Sequence, residues 1–90
     1  MERENDLSDW VEGEINQLRR VRDELNVQSH LARTELRDAW QKLEDGFAQL
    51  ESRAKHVASV AEPSLKQFET DVRKLVDDLR EGYRRIRDAI

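Results

Sequence analysis

From Leu7 onward, apolar residues recur at steps of three and four: Leu7, Val11, Ile15, Leu18, Val21, Leu25, Ala32, Leu36, Trp40, Leu43, Phe47, Leu50, Ala54, Val57 and Ala61. At about 100° per residue these positions stay within a sector of roughly 120°. The run therefore predicts an amphipathic helix whose apolar face never changes phase. Ser29 interrupts the stripe, inside the mostly polar segment Asn26-Val27-Gln28-Ser29-His30, but that segment has no Gly or Pro and the phase is the same on both sides. The reading is one helix over residues 7–61, with Asp6 or Ser8 as its N-cap and Asp9 and Glu12 favourably placed in its first turns.

The chain's single proline, Pro63, ends this run. Ser59-x-x-Glu62 and Ser64-x-x-Gln67 both have the spacing of a capping box, in which a hydroxyl and a longer polar side chain satisfy backbone donors at a helix start. The second pattern fits better, because the first places Pro63 inside the helix, where it lacks a donor and crowds the preceding turn. A turn at 62–63 is thus expected, followed by a second helix over 64–90 with its own stripe of Leu65, Phe68, Val72, Leu75 or Val76, Leu79, Tyr83, Ile86 and Ile90.

If the chain reverses at this turn, apolar residues face each other layer by layer, from Ala61 with Leu65 to Leu36 with Ile90. The fold class predicted is all-α, a single domain over 1–90: an antiparallel, coiled-coil-like hairpin with a long first helix and a shorter second one. From Leu36 to Ala61 the steps alternate 4 and 3, a strict heptad, whereas upstream the spacing drifts toward eleven, as in Leu7, Leu18, Ser29 and Trp40. The two halves of the first helix are therefore expected to have different partners.

The unequal arms leave residues 7–35 uncovered. Leu7, Trp10, Val11, Ile15, Leu18, Val21, Leu25, Leu31 and Ala32 are accordingly expected to form an interface with a second copy, giving a four-helix homodimer. Another helical protein is the other candidate for that face. A three-helix bundle folded at Asn26 to His30 is the alternative architecture.

Composition narrows the class. Hydrophobic residues make up 37% and charged residues 40% of the 90, with three glycines and no cysteine. That balance suits long helices, and it excludes disulfides and thiolate metal sites. No apolar run reaches the roughly 18 residues of a membrane span, and the acidic start is unlike a signal peptide, so a cytoplasmic protein is expected. The formal charge of −4 gives no general attraction to nucleic acid. Residues 1–18 hold six acids against one base, and residues 73–90 hold six bases against four acids. This asymmetry suits the helix macrodipole and also an antiparallel pairing of chains.

Candidate chemistry is sparse. Neither His30 nor His56 has a Glu three residues before it, so the Glu-x-x-His unit of metal-binding bundles is absent. No phosphate loop or nucleophile motif is present, and no catalytic, cofactor or metal-binding residue is assigned. Gly46 and Gly82, each costing about 1 kcal/mol inside a helix, fall nearly opposite one another in the hairpin and are read as a shared notch or as two tolerated surface positions. The function expected is a non-enzymatic structural or protein-interaction module acting through helix faces. A second reading is a peripheral lipid-surface protein. The eleven-residue drift and the single Pro63 resemble the general pattern of exchangeable apolipoproteins, a likeness of periodicity that implies amphipathic helices able to lie on a membrane.

Overall fold

The structure, a computed structural model, describes residues 2–29, 34–60 and 62–89. Three helices pack together: α1 (Glu2–Ser29), α2 (Thr34–His56) and α3 (Glu62–Ala89), with a single 3₁₀ turn (Val57–Ser59) after α2. No strand occurs among the described residues. The expectation of one helix over residues 7–61 is corrected, and the three-helix alternative is the arrangement found. α1 also begins upstream of Asp6 and Ser8, so neither is its N-cap. His30 and the link from α1 to α2 lie outside the described residues.

The reason for the fold-back lies in burial. Leu7, Val11, Ile15, Leu18 and Leu25 are all buried against the rest of the chain. Removing such side chains from water stabilises by about 1.5 to 3 kcal/mol each. Breaking a helix frees about four carbonyls and four amides, at a net cost of roughly 1 kcal/mol per lost hydrogen bond. Burial of five aliphatic residues exceeds that cost. The constant phase that suggested an unbroken helix is equally what a bundle needs, since each helix must turn the same face inward.

Side-chain pairs fix the directions. Arg19 bonds Glu51 at 3.1 Å and Arg22 bonds Glu44 at 2.7 Å, so α2 runs antiparallel to α1. Trp40 meets Tyr83 edge-on at 5.8 Å between ring centroids, while Leu43 lies against Gly82 and Leu79 against Gly46. α3 therefore runs antiparallel to α2 and parallel to α1, with Glu14 paired to Arg80 and Arg87 reaching Glu24 at 4.0 Å. The result is an up-down-up bundle measuring 45 × 18 × 17 Å. A 28-residue helix spans about 42 Å, so the rod is one helix long.

The second reversal comes earlier than expected, between His56 and Glu62. Ser59 donates its hydroxyl to the His56 carbonyl at 2.8 Å, and the Val60 amide bonds Val57 O at 3.3 Å. Val60 is then extended, and Glu62 and Pro63, expected to be the turn, are the first two residues of α3. Pro63 is tolerated because first-turn amides have no intrahelical partner to lose. Gln67 bonds forward to Asp71 at 3.1 Å. The chain thus uses Ser59 to close α2, not to cap α3.

The core contains Leu43, Phe47, Leu50 and Val57 of the middle segment and Leu65, Val72, Val76, Leu79, Tyr83 and Ile86 of α3, together with the α1 residues above. Between α2 and α3 the two glycines act reciprocally. A Cβ on Gly46 would stand 2.9 Å from Leu79 Cδ2, and one on Gly82 would collide with Leu43 Cδ2 and lie 3.2 Å from its Cγ. Each glycine receives a leucine of the facing helix. Gly13 has open space around it.

These surroundings predict opposite outcomes for one chemical change. Gly13→Ala should raise stability by about 0.5 to 1 kcal/mol through helix propensity alone. Gly82→Ala gains the same propensity but displaces the whole Leu43 side chain, and overpacking costs about 1 to 3 kcal/mol, so the variant should be less stable than the parent. Thermal melts in the order Gly13→Ala, parent, Gly82→Ala are expected. A melt of Gly82→Ala above the parent would show that α2 and α3 do not interlock here.

Candidate interaction surface

Three helices in a bundle leave three outer grooves, and their linings differ. The groove between α1 and α2 encloses about 450 Å³ and is lined by Glu12, Asn16, Arg19, Glu51 and Lys55, with Ile15 and Ala54 at its floor. Arg19 and Arg22 cross it to Glu51 and Glu44. Their guanidinium groups also stand 5.9 and 5.0 Å from the centre of the Phe47 ring. The carboxylates therefore hold two cations over the edge of the core, where the ring face attracts them by about 0.5 to 1 kcal/mol. The bond from Glu44 also raises the Arg22 pKa above its ordinary value.

The seam between α1 and α3 is likewise strapped by charge. Among the described residues Glu14 is the one charged side chain that is buried, 7% exposed, and its carboxylate accepts from Arg80. Nearer the start, Arg73 lies 4.4 Å over the Trp10 ring and bonds Glu69 at 3.0 Å. Within α3 itself, Glu69 pairs with Arg73 and Glu81 with Arg85, each base four residues after its acid. Glu51, four residues before Lys55 on its own helix, reaches Arg19 of α1.

The groove between α2 and α3 has another character. It encloses about 370 Å³ and is lined by Leu36, Ala39, Leu43, Gly46, Leu75, Leu79, Gly82 and Ile86, with Lys42, Asp78 and Arg85 on its rim. Leu36, Ala39 and Leu75 are only half-buried. The inter-helix ion pairs described above all start from α1, whereas this seam is held by leucine, glycine and aromatic contacts. Further along, toward Gln49, Arg53, Asp71 and Lys74, the same seam becomes polar. The apolar part runs from Leu36 to Gly46 and from Ile86 back to Leu75, about 15 Å of helix.

The residues expected to meet a second copy are placed differently from the expectation. Leu7, Val11, Ile15, Leu18 and Leu25 are buried within the chain itself, and Trp10 and Val21 are half-buried against the core. Leu31 and Ala32 lie outside the described residues. The premise that the first arm stands uncovered is corrected: α2 and α3 of the same chain cover it. The Gly46–Gly82 notch was one of two readings, but the groove around it was missed, because Ala39 flanks the stripe and Leu75 stood in it only as an alternative to Val76. The signal was legible, in that positions beside the stripe carry small or apolar residues where a charge would be ordinary.

Among the described residues no group of three or more His, Cys, Asp or Glu side chains is placed to hold a metal ion. His56 is exposed and donates Nδ1–H to Ser52 O at 2.7 Å. No helix among them is long and apolar enough to cross a membrane. The chain has no significant match to any protein-family model, to any curated protein or to any solved structure.

Tyr83 is the remaining unusual group. It is the chain's only tyrosine, 1% exposed, and its buried hydroxyl has no hydrogen-bond partner. Burial pushes its pKa up to about 12; Glu44 adds to the rise and Arg22 opposes it. In the unfolded chain the hydroxyl ionises near 10, so the folded form keeps a proton that the unfolded form loses. Stability from this group is intact below about pH 10 and falls by about 1.4 kcal/mol per unit until about pH 12. Tyr83→Phe should be neutral or stabilising at pH 7, since an unpartnered buried hydroxyl costs about 1 to 3 kcal/mol, and its melting temperature should fall less between pH 10 and 12. Phenolate absorbance measures the pKa directly, and a midpoint near 10 in the folded protein would contradict the buried, unpartnered assignment.

Proposed function

We propose that this chain is a non-enzymatic protein-interaction module whose working surface is the apolar groove between α2 and α3. The observation that carries the reading is the contrast among the three grooves: the two that involve α1 are bridged by ion pairs, and the third presents half-buried Leu36, Ala39 and Leu75. A two-helix groove of this length accommodates one further amphipathic helix of about three turns, anchored by apolar residues at i, i+3 or i+4, and i+7. Charges at the rim orient such a helix more than they hold it.

The groove can be tested with helical probes. A displayed library of amphipathic helices, panned against the parent protein and against Leu75→Glu, should enrich binders on the parent only. Circular dichroism should be unchanged in the variant and melting lowered only modestly, because Leu75 is half-buried at the edge of the core. Equal enrichment on both proteins, or none on either, would overturn the groove as the working surface. Helical content and sedimentation in the presence of anionic phosphatidylserine vesicles form the second arm. A groove-based module should keep its bundle and stay unbound, whereas binding with a gain of helix would favour the lipid-surface reading.

A further inference from the structure

We infer that the α2–α3 groove is a self-association surface, and that its occupant is the same groove of a second copy related by a two-fold axis; this inference rests on the groove being the working surface. The apolar lining of the groove allows self-pairing. In its middle Leu43 and Leu79 lie over Gly82 and Gly46, and the half-buried Leu36 and Leu75 stand toward its two ends. A two-fold axis beside Gly82 brings Leu75 of each copy onto the Leu36 end of the other.

The charges point to the same occupant. Along α3, Asp78 precedes Gly82 by four residues and Arg85 follows it by three, so an axis passing there sets Asp78 of each copy opposite Arg85 of the other to within one residue, about 1.5 Å of rise. A rim of one sign would repel its own copy, whereas this rim changes sign about its centre. Among the described residues Asp78 and Lys42 have no ion-pair partner within the chain, and Arg85 is 78% exposed while bonding Glu81. Asp78 and Lys42 are free to meet a second copy, and Arg85, which bonds Glu81 through Nε, keeps its terminal guanidinium nitrogens for one. The contact would assemble α2 and α3 of both chains into a four-helix layer, with α1 on each outer side.

Sedimentation equilibrium of the full chain, from micromolar to millimolar concentration, tests this. A monomer–dimer equilibrium is expected. Asp78→Arg alone and Arg85→Asp alone should each weaken it at least about tenfold by setting like charges together, and the double exchange should restore it to within a few-fold, because the swapped charges again face opposite ones. Leu75→Glu should abolish it with helix content unchanged. A mass that stays monomeric throughout, or a dimer indifferent to Leu75→Glu and to the charge exchange, overturns the inference. If a monomeric chain still selects amphipathic helices through Leu75, self-association fails and the interaction module stands. If it selects none, both fail.

Discussion

Burial of the α1 stripe on the paired α2 and α3 is the constraint on which the bundle depends. Among the described residues, Leu7, Val11, Ile15, Leu18 and Leu25 contribute a third of the buried apolar side chains, and α1 closes the bundle over the paired α2 and α3. A 90-residue chain buries a modest share of its surface, so the loss of one wall would leave too little core for the other two helices to resist unfolding. The aromatic residues show the same dependence. Phe47 is sealed by arginines that α1 supplies, and Trp10 is sealed by an arginine from α3.

Charge and packing divide the work between seams. α1 is tied on by partly exposed ion pairs, which contribute up to about 1 kcal/mol each and weaken with salt; of the carboxylates in these pairs, that of Glu14 is buried. The α2–α3 seam relies on shape, with Leu43 and Leu79 seated on Gly82 and Gly46. These glycines are a local departure from helix propensity, offset by the closer approach they permit. Raised salt acts mainly on the first kind of seam and leaves the second largely unaffected.

Much of the inward face was legible in the residues. Among the described residues every buried apolar side chain is a stripe position, because burial on one side imposes a 3.6-residue period that survives in the sequence. The break after Ser29 was not legible as a preferred reading, since a stripe in constant phase describes a single long helix and a folded pair equally well, and no Gly or Pro marks the place. Pro63 marked the other reversal but misplaced it by two residues, because proline fits the first turn of a helix as readily as the residue before it. The groove was harder still. Ala39, Gly46, Leu75 and Gly82 become a surface only when two helices are set side by side, so no single helical stripe contains it.

The up-down-up order also separates contacts in time. Trp40 and Tyr83 are 43 residues apart in the chain, whereas Glu14 and its partner Arg80 are 66 apart. Closing a shorter loop costs less chain entropy, and Arg22 and Glu44 are only 22 residues apart, so each helix pairs with its sequence neighbour before the seam between α1 and α3 closes. Synthesis imposes the same order, since α3 is made last. At about 5 to 20 residues per second, a nascent α1 waits roughly 3 to 13 s between completion of Glu14 and arrival of Arg80, with the side of its apolar face that α3 covers open to whatever else is nearby.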